Sequence, residues 1–274
     1  MRIKLTLTPL ERETLLPINY QYPLSGAIYK VLFNASPEYA SWLHNGGYTS
    51  PDGRPMKLFV FSRLHIPGVE QRGITLVAKD FVQCTLFVSS PILEDFVGNF
   101  VVGLFERQEM AIGNKYAVGR FRVGSVETLP SPQFQGGPEG ALSAKFRCLS
   151  PIVVSTMEEY KGKLSVYYLR PGDSRMGEAI RRNLLGKFEI VGRKRPKDES
   201  LEFKLDEEYI ERRGGPEKTT KLIWIREGDG ERETKVKAFI APFELAGSVE
   251  LIKIAYECGI GEKNSLGFGM IEEV

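Results

Sequence analysis

Four glycines within the eleven residues Gly259-Ile260-Gly261-Glu262-Lys263-Asn264-Ser265-Leu266-Gly267-Phe268-Gly269 constrain this chain more than any other segment. They form two Gly-x-Gly pairs, each enclosing a large apolar residue, on either side of five mainly polar residues. Paired glycines give the backbone access to positive φ and let it approach a bulky ligand with no Cβ between. Successive N–H groups in such turns can make an anion-binding concavity, so a phosphate is a natural guest. Two common nucleotide motifs fail here. A P-loop needs Lys directly after its second glycine, and Gly267 is followed by Phe268. The dinucleotide fingerprint needs a third glycine where Asn264 stands, at the start of a helix that a position so near the C-terminus does not allow. The segment points instead to a phosphate polymer.

The remainder is expected to be globular. At 274 residues the chain suffices for one large domain or two of ordinary size. No apolar run approaches the length of a membrane helix. Met1-Arg2-Ile3-Lys4-Leu5-Thr6-Leu7-Thr8 alternates as a strand does and lacks the apolar core of a signal peptide, so a cytoplasmic location is expected. Cys84, Cys148 and Cys258 are odd in number, far apart and set among apolar residues. They read as core thiols, with neither a disulfide framework nor a zinc spacing.

Net charge is only +2, but it is unevenly placed. Residues 170–197 carry nine Arg or Lys against Asp173, Glu178 and Glu189, a local net of +6 that includes Arg181, Arg182, Arg193, Lys194 and Arg195. Such a stripe is either a solvated face or a track for phosphates. The acidic run Asp206-Glu207-Glu208 reads as the face of a turn.

The hydrophobic pattern repeats itself along the chain. A strand over residues 2–9 precedes helical segments over 25–33 and 37–43, and strand-rich sequence follows over 57–90. Pro91 opens a helix whose apolar residues Leu93, Phe96, Val97, Phe100, Val101 and Leu104 share one face, and a strand over 116–126 follows. The Pro/Gly-rich residues 129–140 read as a linker. The second half predicts a strand over 142–155, a helix over 173–185 capped by Asp173 or Ser174, and a strand over 201–210. Residues 222–226 and 234–243 then form a hairpin turned at Gly228-Asp229-Gly230. A helix over 247–257, with Val249, Ile252, Ile254 and Ala255 inward, leads to the glycine-rich segment and a short strand from Phe268. The expected fold class is α+β: two tandem ferredoxin-like βαββαβ domains, 1–128 and 141–274.

The spelling G-Φ-G-x-x-x-x-x-G-Φ-G, with Φ apolar, resembles the glycine-rich loop of the RAMP superfamily of CRISPR-associated RNA-binding proteins. Its position after a C-terminal helix is most similar to Cas family six, the endoribonucleases that cut CRISPR repeat transcripts. That resemblance implies tandem RRM-like domains and a metal-independent cut by the RNA's own 2′-OH, leaving 2′,3′-cyclic phosphate and 5′-OH ends. It implies no cofactor and no metal ligand. The residues agree, since two histidines and scattered cysteines offer no ligand cluster.

Of the two histidines, His65 reads as a loop residue between strands. His44 sits before Gly46 and Gly47 at a helix C-terminus, where it suits the helix dipole and is also the best available proton shuttle. The resemblance gives His44 a catalytic role, with Tyr29 of the first helix as its partner in proton transfer. Lys57, in Pro55-Met56-Lys57-Leu58-Phe59, would stabilise charge on the phosphate. The 13-residue span from His44 to Lys57 leaves Arg54 as a competitor for that role. Which of His44 and Tyr29 is acid and which base stays open. For RNA contact the candidates are Gly259, Gly261, Lys263, Asn264, Gly267 and Gly269 of the loop and Arg181, Arg182, Arg193, Lys194 and Arg195 of the stripe. The expected partner is CRISPR repeat RNA, with effector-complex subunits also admitted, for a monomer or a homodimer. The alternative is a relative that binds repeat RNA without cutting it, or a structural subunit of an effector complex.

Overall fold

In the computed structural model, residues 1–134, 141–160, 162–227 and 233–274 are described. The alternating N-terminus forms β1 (Arg2–Pro9), which buries Ile3, Leu5 and Leu7. β2 (Glu13–Pro17) leads to α1 (Gln21–Ala35) and α2 (Pro37–Asn45). Ser36 breaks the two helices apart. Its backbone is extended, its side chain accepts from the Tyr39 amide, and Pro37 starts the next helix where a missing N–H costs nothing. The chain continues through β3 (Tyr48–Thr49), β4 (Pro55–Met56), β5 (Val60–Phe61), β6 (Glu70–Arg72), β7 (Thr75–Lys79) and β8 (Cys84–Ser89). A π-helical turn, Leu93–Gly98, runs into α3 (Asn99–Glu106), followed by β9 (Glu109–Gly113) and β10 (Val118–Leu129).

The second half opens with β11 (Ala141–Cys148), β12 (Ser155–Tyr160) and β13 (Lys163–Tyr168). Next come α4 (Met176–Gly192), β14 (Leu201–Leu205), α5 (Glu207–Arg212) and α6 (Pro216–Thr219). β15 (Thr220–Ile225) pairs with β16 (Thr234–Phe239). The end is built by β17 (Phe243–Ser248), α7 (Val249–Cys258), a 3₁₀ turn Asn264–Leu266 and β18 (Ile271–Glu273).

Two antiparallel sheets organise these elements, in the orders β5-β8-β1-β10-β9 and β14-β17-β11-β18. Against the first pack α1, through Leu24, Ile28, Val31 and Leu32, and α3, through Phe100 and Leu104. Against the second pack α4 and α7, the latter through Leu251, Ile252, Ile254 and Ala255. The halves are tied by Arg2. Its guanidinium lies 3.7 Å over the Tyr256 ring and donates to the carbonyls of Tyr256 at 3.0 Å and Ile271 at 2.8 Å. A buried guanidinium is tolerated because those acceptors replace water.

Several expected bounds change. The strand expected over 142–155 stops at Cys148, because the chain turns to set Ile152 against Phe239, and β12 is a separate element. The strand expected over 201–210 ends at Leu205. Asp206 caps α5 by accepting from the Tyr209 amide, and Glu207 and Glu208 form its first turn, so the acidic run starts a helix. The residue before α4 is Arg175, without a side-chain cap, and Asp173 accepts instead from the Arg175 amide. Phe243 begins β17 rather than ending the hairpin, and Val249 is only half-buried. The hairpin turn at Gly228-Asp229-Gly230 and linker residues 135–140 lie outside the described residues.

Candidate functional site

The corner between α1 and α2 brings the first two expected residues together. The rings of Tyr29 and His44 lie 5.3 Å apart, edge to face. His44 is exposed in the last turn of α2, with Nδ1 3.4 Å from Asn45 Oδ1. Tyr29 is half-buried against Phe59, and burial raises its phenol above the ordinary tyrosine range, a rise partly offset by a hydrogen bond with Ser265.

Lys57 reaches the same corner from a different direction. The span from His44 to Lys57 folds back as the β3–β4 hairpin, pairing Tyr48 with Met56 and Thr49 with Pro55. The Lys57 ammonium then donates to the carbonyl of Leu43, and to that of His44 at 2.9 Å. Those are last-turn carbonyls at the negative end of the α2 dipole, where a cation is favoured. Partial burial lowers the Lys57 pKa. Arg54, the competitor, stands at the hairpin tip, engaged by Asp52, whose carboxyl is held down at about 2 by Arg54 and Ser50.

A strained step sets this direction. Leu58 has φ +53, a left-handed conformation that costs a branched residue about 1–3 kcal/mol. The step sends Leu58 into the second core and Phe59 into the first, while Ser90 Oγ donates to the Leu58 carbonyl at 2.8 Å. Burial of both side chains offsets the strain.

The glycine-rich segment folds onto the opposite wall as a self-clasped loop. The amide of Ile260 donates to Gly269 O, that of Gly269 to Pro151 O, and that of Glu262 to Val153 O. Asn264 Nδ2 closes the clasp on the carbonyls of Ile260 at 3.2 Å and Phe268 at 3.0 Å. Gly259, Gly261, Gly267 and Gly269 are buried, whereas Glu262, Lys263, Asn264 and Ser265 form a half-exposed tip. At Gly261 (φ +68) a Cβ would overlap the Val153 carbonyl, and at Gly269 (φ +79) the Ile260 carbonyl. Neither neighbour is a side chain that can swing away. Gly269→Ala is therefore expected to cost about 1–3 kcal/mol, read as a melting temperature several degrees lower; an unchanged melting temperature would mean that the clasp is not rigid.

Two ties aim the tip at the corner. Ser25 Oγ of α1 donates to Ser265 O at 2.6 Å. From the other side Lys187 of α4, fully buried, donates to Gly259 O at 2.7 Å and Gly261 O at 2.8 Å. Burial pulls the Lys187 pKa down to about 8. No separate role for Lys187 was read from the sequence, although a signal existed. Met176, Ile180 and Leu184 mark the inward face of α4, and Lys187 continues it at helical spacing.

Tyr29, His44, Lys57, Lys263 and Ser265 all line one cleft of about 920 Å³. Lys30, Lys115 and Arg226 line it too, so that among the described residues five cations and the carboxylate of Glu227 line this cleft. The sequence stood silent on those three because each is an isolated charge. Lys57, Lys263 and Ser265 also line an adjoining groove of about 710 Å³, where Arg182 and Lys187 join them. The rest of the stripe does not converge there. Arg181 is paired with Glu178, Arg195 with Glu189 and Glu199, and Arg193 and Lys194 are exposed beyond the end of α4.

Among the described residues no three His, Cys, Asp or Glu gather as a metal-binding group, and no helix is long and apolar enough to cross a membrane. Burial pushes the thiols of Cys84, Cys148 and Cys258 up to about 12. All three are expected to resist alkylation near neutral pH until the protein unfolds, since only the thiolate reacts; rapid labelling of the native protein would contradict that.

Comparison with known proteins places the chain in a family. Residues 15–122 match the family CRISPR-associated protein Cas6, N-terminal, and residues 137–273 match CRISPR associated protein Cas6, C-terminal. CRISPR-associated endoribonuclease Cas6 1 of Methanocaldococcus jannaschii is 33% identical over 280 residues, covering 100% of this chain and 93% of its own length. A solved CRISPR associated protein Cas6 superposes with a TM-score of 0.74 at 31% identity, covering 100% of this chain and 99% of that one. A RAMP protein described as binding different RNA substrates superposes with a TM-score of 0.77 at 25% identity, with 100% and 99% coverage. With both halves matched and a full-length relative at one-third identity, the chain belongs to the Cas6 family of CRISPR-associated endoribonucleases.

Proposed function

We propose that this protein cuts CRISPR repeat RNA in precursor transcripts without a metal, using the RNA's own 2′-OH as nucleophile. The observation that carries the reading is the meeting of Tyr29, His44 and Lys57 in one cation-lined cleft beneath the glycine-loop tip. The 2′-oxygen attacks the adjacent phosphorus, the bond from phosphorus to the 5′-oxygen breaks, and a 2′,3′-cyclic phosphate and a 5′-OH result. His44, exposed to the cleft, takes the 2′-OH proton. Tyr29, whose burial disfavours the phenolate, keeps its proton to donate toward the leaving oxygen. Lys57 and Lys263 stabilise the charge that grows on the phosphate oxygens. Two ammonium protons of Lys57 are held by α2, which pins His44 and leaves a third for the phosphate.

The loop tip, Lys263 to Ser265, with Arg182 in the adjoining groove, holds the RNA, while the loop glycines shape that tip from below. Arg181, Arg193, Lys194 and Arg195 supply a more distant positive field. Two ferredoxin-like domains, 1–128 and 141–274, frame the cleft. Supporting this, β1, β5, β8 and β10 lie in the order second-third-first-fourth, and β11, β14, β17 and β18 repeat it.

The test is incubation in EDTA with repeat RNA from the genome that encodes the protein, beside the same RNA carrying a 2′-deoxy at the cut. One cut in EDTA that the deoxy substitution abolishes is expected. Binding without a cut would overturn the catalytic reading and leave a protein that grips repeat RNA; a cut that persists in the deoxy RNA would overturn the 2′-OH mechanism.

A further inference from the structure

The cleft continues beyond Lys30. Ala27, Lys30 and Ala111 line both it and a second groove of about 810 Å³, which follows α1 to Asn34 and β9 back to Gln108. From Ala27 to Asn34 the helix rises by about 10 Å. Nothing in the proposed chemistry uses this groove.

Its lining has the composition of a single-strand path. Arg120 and Arg122 face outward from β10, alternating with the buried Gly119 and Phe121 as a strand requires. Arg107 follows the C-terminus of α3, and Lys30 stands at the junction with the cleft. The carboxylates there are Glu106 and Glu109, and Glu109 is taken by Arg122 at 3.6 Å. Among the described residues no carboxylate pairs with Arg107 or Arg120. Beside these cations Phe105 is 67% exposed. An exposed aromatic next to unpaired arginines suits unstacked nucleotides, since bases stack on the ring while cations follow the phosphates.

We propose that this groove binds the single-stranded RNA running on from the scissile phosphate, with Arg107 and Arg120 on its backbone and Phe105 against a base. Two features favour RNA over a protein partner. The groove opens directly into the cleft that holds the phosphate, and its free charge is positive. The inference rests on the RNA-cleaving reading above, and it adds a subsite to it.

The experiment compares a short repeat RNA spanning the cut with the same RNA lengthened by single-stranded nucleotides, on the 5′ side in one version and the 3′ side in another. Affinity is measured across a salt series for wild type, for R107E/R120E and for Phe105→Ala, all changes at exposed positions. One lengthened RNA is expected to bind wild type at least about tenfold more tightly than the short one. R107E/R120E should abolish that advantage and reduce the salt slope by about two, and Phe105→Ala should remove part of the advantage at every salt concentration. The inference is overturned if neither lengthened RNA gains affinity in wild type, or if the variants keep the full gain. It is also overturned if they weaken short and long RNA equally, which would place their effect in the cleft. Failure of the underlying reading looks different: wild type would then leave every one of the RNAs uncut, whether or not it binds them.

Discussion

Replacing His44 by Ala is expected to slow single-turnover cleavage about 10²–10⁴-fold, while repeat-RNA affinity stays within about threefold of wild type. The side chain is exposed, and its contacts are the edge-on Tyr29 ring and the Asn45 side chain. Its neighbour Leu43, fully buried, keeps α2 in place without it. Lys57 binds the backbone carbonyl of residue 44, so that tie also survives. The loss should therefore fall on the chemical step. Tyr29→Phe separates ring from hydroxyl. It keeps the packing on Phe59 and His44 and removes the proton donor together with the hydrogen bond to Ser265. A loss of at least about tenfold is therefore expected, with a melting temperature lowered by no more than the few degrees that one hydrogen bond accounts for. Rapid-quench assays with saturating enzyme read both. Full cleavage by His44→Ala would sink the assignment of the proton shuttle.

The second large effect comes from a residue that touches no substrate. Lys187→Met strips the buried donor from Gly259 O and Gly261 O, and a loop tip displaced by about 1 Å is enough to cost about 10²-fold in kcat/KM. Two opposing terms set the stability change. Two buried carbonyls lose their donor, at about 1–3 kcal/mol each, whereas removing a desolvated ammonium is favourable.

The balance depends on pH in a definite direction. Lys187 has its folded pKa lowered to about 8, from an ordinary lysine value near 10.5. Below pH 8 both folded and unfolded chains carry the proton, so the burial penalty is fully present. Between about pH 8 and pH 10.5 the folded chain releases the proton first, and the penalty is progressively relieved. The wild type should thus gain on Lys187→Met as pH rises through that window, by up to about 3 kcal/mol. Denaturation midpoints of the two proteins at pH 7 and pH 10 test this, other titrations cancelling in the difference. A gap that does not widen with pH would show that the ammonium is not desolvated as its burial implies. A lost kcat/KM without any stability change would leave Lys187 as a pure positioning residue.

What the sequence determined by itself was local. The alternation in residues 2–8 and the doubled Gly-x-Gly spelling each report backbone geometry within a few residues, and each forms the element that its pattern dictates. The helix expected from Pro91 starts instead as a π-helical turn at Leu93, which leaves Leu93 exposed, and only Asn99–Glu106 is α-helical. The place of His44 at a helix end was legible from the paired glycines that follow it, whereas its catalytic role rests on the family resemblance, since a histidine there also suits the helix dipole. The bounds that failed did so where side chains compete with the strand pattern. Asp206 takes the Tyr209 amide and starts a helix, and the chain after Cys148 turns to pair Ile152 with Phe239.

Tertiary structure decided the rest, because the site is assembled from charges and hydrogen bonds far apart in the chain. Lys57 faces His44 only because Leu58 and Phe59 are claimed by different cores, which forces a left-handed step no local preference would choose. Lys187 is a loop anchor rather than a surface lysine because α4 turns it inward against two carbonyls 72 and 74 residues away. Lys30, Lys115 and Arg226 become one electrostatic wall only when α1, the β9–β10 turn and the end of β15 converge. A sequence pattern carries the cost and gain of neighbouring residues, whereas these positions are set by how two packed cores share the chain that runs between them.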